Sequence, residues 1–199
     1  MAISYLSTQN KVISNGSSAT IDLWRLAQQD PLMKRFFALM NTSFVEDERR
    51  ADEDTLALMT TKPFFAVNAI MQNKLWAGFL TTWNFGRFTY IEHFAIEPVL
   101  RSNGVGTCIL QKFLAMQKDR PIVLEVDHIG TSVDAKRRIA FYQRNGFLLW
   151  QNVDYVQPPY NKHTHEVPMH LMSRGMEPTP ANVAMVTSQL HKQVYNVKK

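Results

Sequence analysis

The chain has 199 residues, 45% hydrophobic and 20% charged, a balance that suits one globular domain with a core large enough to fold alone. A formal charge of +5 is too mild to mark a nucleic-acid binder, and no basic run interleaves with aromatics. A single cysteine, Cys108, excludes an internal disulfide, and no apolar stretch is long enough for a membrane span; even residues 64–71 are short and carry Asn68.

In chain order, residues 1–19 are polar and Ser-rich and read as an irregular leader. They lack the basic start and apolar run of a signal peptide, which together with the lone cysteine points to the cytoplasm. Residues 21–26 alternate and predict a strand. Asp30-Pro31 opens a helix with Leu32, Phe36, Phe37 and Met40 on one face. A polar loop over 41–51 precedes a second short helix, 52–60, with Leu56 and Met59 inward. Residues 64–71 and 75–83 form a hairpin across Gln72-Asn73-Lys74, with Gly78 weakening its second strand. Residues 88–96, filled with aromatic and β-branched side chains, make a central strand that Pro98 ends. The helix that follows carries Cys108 as a core residue. Residues 122–126 read as a second buried strand, and strand-helix-strand in this order implies a right-handed crossover and parallel pairing. A helix from Ala135 is closed by Asn145-Gly146. Two late strands, 147–156 and 167–172, flank a loop over 157–166, and Thr179-Pro180 opens a last helix with Val183, Met185, Val186, Leu190 and Val194.

Between the central strand and its helix lies Arg101-Ser102-Asn103-Gly104-Val105-Gly106-Thr107. Glycines let backbone approach an anion, and a helix N-terminus offers unpaired N–H groups and a positive dipole end. A Walker loop needs lysine after its last glycine, where Thr107 and Cys108 stand; a dinucleotide fingerprint needs a third glycine where Ile109 stands. The remaining pattern, Arg-x-x-Gly-x-Gly, resembles the pyrophosphate loop of the GNAT superfamily of acyl-CoA-dependent N-acyltransferases. Phe141-Tyr142 followed by Gly146-Phe147 is similar to that superfamily's late helix, and the resemblance covers about residues 20–172.

The resemblance implies an α/β (α+β) single domain, with a mixed central sheet of about seven strands flanked by helices and a C-terminal helical extension, 173–199, packed on a 20–172 acetyltransferase domain. It implies acetyl-CoA as co-substrate, no metal, and transfer of an acetyl group to a primary amine, of a small molecule or a peptide, by direct attack through a tetrahedral intermediate. Phe94, Ala95 and Ile96 would contact the donor's pantetheine arm through main-chain groups, and Arg101, Ser102, Asn103, Gly104, Val105, Gly106 and Thr107 would wrap its pyrophosphate. Tyr142 would protonate the departing thiolate. Phe44, Glu46 and Glu48 resemble an acceptor-gripping stretch. Many members carry Asn near the start of the late helix, where this chain has Asp134-Ala135.

For the base, Glu92 is the first candidate. Strand alternation puts Tyr90, Glu92, Phe94 and Ile96 on one face, and burial among aromatics would raise its pKa towards neutrality. Glu125 on the neighbouring strand is the reserve. Arg101, Lys136, Arg137, Arg138 and Arg144 add positive charge around the anion loop. His163, His165, Glu166 and His170 match no zinc signature. Two other readings stay open: a catalytically silent acyl-CoA-binding module, and a basic interaction protein. The oligomeric state, monomer or homodimer, is open too.

Overall fold

The computed structural model describes residues 12–14, 17–102 and 104–197. Two short strands, β1 (Val12–Ser14) and β2 (Ser17–Ala19), pair antiparallel inside the stretch expected to be irregular. The other strands are β3 (Ile21–Arg25), β4 (Phe65–Gln72), β5 (Leu75–Asn84), β6 (Thr89–Ile96), β7 (Ile122–Asp127), β8 (Leu148–Leu149), β9 (Tyr155–Gln157) and β10 (Val167–Arg174). They form one sheet in the order β3-β4-β5-β6-β7-β10-β8, with β9 also paired to β10. Eight strands stand where about seven were expected. The predicted strand over 147–156 is broken by a turn at Gln151 and Asn152, and its two halves each pair with β10. The expected boundary at 172 falls within β10.

Helices α1 (Met33–Ser43), α2 (Asp52–Thr61) and α5 (Pro180–Gln189) cover one face of the sheet, over Phe79, Trp83 and Tyr90. Helices α3 (Val105–Gln117) and α4 (Val133–Arg144) cover the other, with Ile109, Phe113 and Ile139 packed on Leu80 and Leu124. No helix among the described residues is long and apolar enough to cross a membrane. The β4–β5 hairpin turns on two residues, Asn73 and Lys74, both with positive φ, the conformation that matches strand twist in a two-residue loop.

Two irregularities position the site. β6 and β7 run parallel but pair only from Thr89 to Ile91 against Ile122 to Leu124, so β6 beyond Ile91 has a free edge. In addition, β6 carries a bulge: Thr81 and Thr82 of β5 pair with His93 and Ile91, leaving Glu92 as the extra residue.

Gly78 lies beside the same stretch from the β5 side. At φ +154° its missing Cβ would stand 2.2 Å from the Ala95 carbonyl oxygen and 2.9 Å from Ile96 Cα. These are backbone atoms held in the sheet and cannot give way. Gly78→Ala is therefore expected to cost about 3 kcal/mol or more, read as a lowered denaturation midpoint. An unchanged midpoint would mean that β5 and β6 separate easily there.

Candidate active site

The gap between β6 and β7 opens into a cavity of about 620 Å³. Gly104, Gly106 and Thr107 line one end of it, Phe94, Ala95 and Ile96 its wall, and Glu92, Glu125 and Tyr142 its inner part. Asn103 lies outside the described residues. Gly104 is the N-cap of α3 at φ +73°, with no side chain to cap the helix, and its missing Cβ would meet nothing within 4 Å. The first N–H groups of α3, at Val105, Gly106 and Thr107, have no partners within the helix, and they carry the positive end of its dipole. A Cβ on Gly106 would stand 3.1 Å from Ile96 Cδ1 and 3.6 Å from Phe141, so the glycine lets the helix start close to β6 and α4. Ser102 is also left-handed, at φ +68°. Arg101 donates from Nε to the Ile96 carbonyl at 2.8 Å, tying the loop to the free edge of β6. Arg101, Arg137, Arg138 and Arg144 stand on the cavity wall with Asp134, whereas Lys136 does not line it. An anion loop, a free strand edge and a basic rim fit a phosphate-bearing donor with an extended amide arm.

The bulge corrects the predicted face of β6. Glu92 and His93 both project toward α1 and the C-terminal segment. Phe94 and Ile96 pack on the α3–α4 side, with Phe94 6.4 Å from Phe141 between ring centroids. Glu92 is buried in an ion pair with Arg50 and accepts from the Trp83 indole at 2.8 Å and the Tyr160 hydroxyl at 3.1 Å. Burial pushes its pKa up, but the Arg50 guanidinium and the Trp83 indole outweigh that and hold the carboxyl below its ordinary value, opposite to the expected direction. His93 contacts the Glu48 carbonyl through Nε2 at 2.9 Å and Thr81 Oγ1 through Nδ1 at 3.0 Å. A carbonyl can only accept, so Nε2 carries the proton. Burial keeps His93 neutral by lowering its pKa.

Glu125 has the other environment. Its Oε2 accepts from Tyr90 at 2.8 Å and from Tyr195 at 2.6 Å, and its Oε1 accepts from Tyr155. Burial raises its pKa to about 6, even though the three hydroxyls lower it. Tyr142 sits on the inner face of α4 against Phe141 and Phe147, and burial pushes its phenol to about 12. Its hydroxyl makes no hydrogen bond to another described residue. Of the residues expected to face the acceptor, Phe44 lines the cavity and packs edge-on against His93 at 4.7 Å. Glu48 is half-buried, with its pKa raised by burial and by Asp127. Glu46 is exposed and borders a separate groove with Asn41, Val45 and Arg49. His165 pairs with Asp47 and His170 stacks on His128, and no group of three or more metal-ligating side chains occurs among the described residues. Sequence reasoning missed Arg50 and Tyr160 on loops, Tyr155 on β9 and Tyr195 near the end of the described chain. The concentration of Tyr155, Tyr160 and Tyr195 in the last quarter of the chain was the one available signal.

The comparisons agree with this geometry. A GNAT-family protein from Bacteroides thetaiotaomicron superposes with a TM-score of 0.83 at 38% identity, over 88% of this chain and 99% of that one. Arabidopsis thaliana Naa50, in complex with the bisubstrate analogue CoA-Ac-MVNAL, has a TM-score of 0.55 at 17% identity, over 80% and 100%. A GNAT family acetyltransferase from Elizabethkingia anophelis with acetyl-CoA bound has a TM-score of 0.53 at 14% identity, over 78% and 98%. These last two share the fold. No curated protein matches the chain in sequence. The model of the acetyltransferase (GNAT) family matches residues 33–147, more than half of the chain and including the anion loop, the β6–β7 gap and Tyr142; the chain belongs to the GNAT acetyltransferase family.

Proposed function

We propose that the protein moves an acetyl group from acetyl-CoA to a primary amine of a small molecule or a peptide in the cytoplasm, with Glu125 as proton acceptor and Tyr142 as proton donor. The observation that carries this reading is the one cavity that joins the bare N-terminus of α3, the free edge of β6, Glu125 and Tyr142. Acetyl-CoA supplies the acetyl group as a thioester open to attack by a neutral amine. The N–H groups at the start of α3, with Arg101 and the α4 arginines, would hold its phosphates. On the β7 side, the main chain of Phe94, Ala95 and Ile96 would pair with its pantetheine amides, as an added strand pairs with a sheet edge.

Glu125, with a pKa of about 6, is ionised at pH 7 and basic enough to take the amine proton directly or through water. Glu92, ionised and locked to Arg50, is the poorer base and is assigned a structural role. Phe44 on the cavity wall, with Glu48 nearby in the same loop, would receive the acceptor ammonium. Tyr142 stays protonated at pH 7 and can deliver its proton to the departing sulfur.

Calorimetry with acetyl-CoA should give one site per chain, unchanged by EDTA; absence of binding would reject the reading. Tyr142→Phe keeps the ring and its packing and deletes a hydroxyl with no partner among the described residues. Melting temperature and coenzyme affinity should stay unchanged, while turnover falls by about ten- to a thousand-fold. Unchanged turnover would make Tyr142 a plain core aromatic.

A further inference from the structure

The family match ends at residue 147, yet three of the four tyrosines gathered around the two buried carboxylates lie beyond it. The last of these, Tyr195, reaches the site through an unusual piece of backbone. After α5 the helix widens into a π turn, Leu190–Val194, closed by the Tyr195 N–H on the Leu190 carbonyl at 3.2 Å. Such wide turns are rare and concentrate at functional sites, because the added residue re-aims the side chains that follow. Here Val194 and Tyr195 turn into the core, both almost fully buried.

One guanidinium holds this turn in place. Arg50, in the loop between α1 and α2, pairs through Nη1 with Glu92 and donates through Nη2 to the Val194 carbonyl at 2.8 Å. It lies 4.6 Å from the centroid of the Tyr160 ring and 5.4 Å from that of Trp83. The Tyr195 ring packs against Tyr160 at 5.0 Å, and its hydroxyl reaches Glu125 at 2.6 Å. Burying an arginine is costly unless it is paired and hydrogen-bonded, and here Glu92 supplies the charge and the Val194 carbonyl a second acceptor.

We infer that the C-terminal turn is a working part of the acyl-transfer site, in which Arg50 grips the Val194 carbonyl and so seats Tyr195 on Glu125 as a positioning residue. This rests on the reading of Glu125 as proton acceptor. A carboxylate oxygen accepts along more than one direction. Tyr90 and Tyr195 share Oε2 and Tyr155 takes one direction on Oε1, which leaves the remaining direction of Oε1 for an amine or water in the β6–β7 gap. The ring of donors fixes which way that open direction points. It also decides how basic the carboxylate is, because every hydroxyl that donates to it favours the ionised form.

The titratable groups that face Glu125 are Tyr90 and Glu92 from β6, Tyr155 from β9, Tyr160 from the loop before β10, and Tyr195 from the C-terminal turn. Its neighbour in register on β10 is Leu171, which is apolar. Glu92 is held ionised by Arg50, and the tyrosines have pKa values raised well above 10 by burial. Within the ordinary pH range Glu125 is therefore the member of the cluster that changes charge.

The test is Tyr195→Phe, which preserves the ring and removes one donor, with Arg50→Lys, which keeps the positive charge but cannot span Glu92 and Val194 together. Carboxyl titration of Glu125 is followed by infrared difference spectroscopy against a Glu125→Gln reference, with no coenzyme present. In both variants the midpoint is expected to move to higher pH. With an active acceptor, the acidic limb of kcat/KM should move the same way, so that the loss is about five-fold at pH 6 and small at pH 8. A midpoint that stays at the wild-type value in Tyr195→Phe overturns the inference. A midpoint that moves in Tyr195→Phe but not in Arg50→Lys overturns the part assigned to Arg50. If the wild-type protein showed no acyl transfer at all, the proposed function would fall while the infrared titration still decided whether the turn sets Glu125.

Discussion

Glu125→Gln is expected to lower kcat/KM for acyl transfer by about 10²–10⁴-fold, the range a positioned general base supplies. The change is close to isosteric: the glutamine oxygen can accept from Tyr90 and Tyr195 while its amide nitrogen donates to the Tyr155 hydroxyl oxygen, so the fold and coenzyme affinity should survive. What disappears is a proton acceptor with a pKa of about 6. The sign of the pH dependence follows from the ionisation: Glu125 works when deprotonated, so its contribution grows as pH rises through 6 and is lost below. The acceptor amine must also lose a proton, which adds a slope of its own. That slope is common to both enzymes, so the ratio of wild-type to variant rates should rise through pH 6 and level off above 7. A ratio independent of pH would remove Glu125 from proton transfer. Replacing Glu92 by glutamine should instead lower stability, because Arg50 would be left buried without its counter-ion.

Gly104→Asp should abolish measurable binding of coenzyme A while leaving the protein folded. The fold tolerates the change because a Cβ there meets no atom within 4 Å, and Asp is among the residues least penalised in the left-handed region. Binding does not tolerate it. The carboxylate would occupy the mouth of the α3 N-terminus, where it takes the backbone N–H groups itself and repels a pyrophosphate through a short distance. Calorimetry on the folded variant checks this; an affinity within a few-fold of the wild type would mean that the phosphates lie elsewhere, and the arginines of α4 would be the next place to look.

Much of this site was legible in the chain because its signals are local. The anion loop is seven consecutive residues; Thr107, Cys108 and Ile109 exclude the competing phosphate motifs, and the cap at Asn145-Gly146 with Phe147 places Tyr142 on the inner face of its helix. The order of elements follows from periodicity and turn residues, and it yields the sheet because connections between neighbouring elements are short. The face of β6 beyond Glu92 and the environment of that carboxylate were misread for a different reason. Alternation assumes an unbroken pleat, and a single bulged residue turns the following side chains to the opposite face with no mark in the sequence. Its partner Arg50 is 42 residues away, and no local pattern reports a pair formed by tertiary packing. The Tyr195 hydroxyl is further still, 70 residues from Glu125. The break between β8 and β9 was the more avoidable miss, since Asn152 and Asp154 are ordinary turn residues interrupting an apolar run.

The most direct test of the account is release of free thiol from acetyl-CoA across a panel of primary amines, small molecules and short peptides together, with the N-acetylated product identified by mass. The account predicts release that depends on the amine, with one acetyl group gained by the amine for each thiol freed. Saturable binding of acetyl-CoA with no amine-dependent release over a broad panel would contradict it, and would leave a protein that holds the donor in this cavity without turning it over.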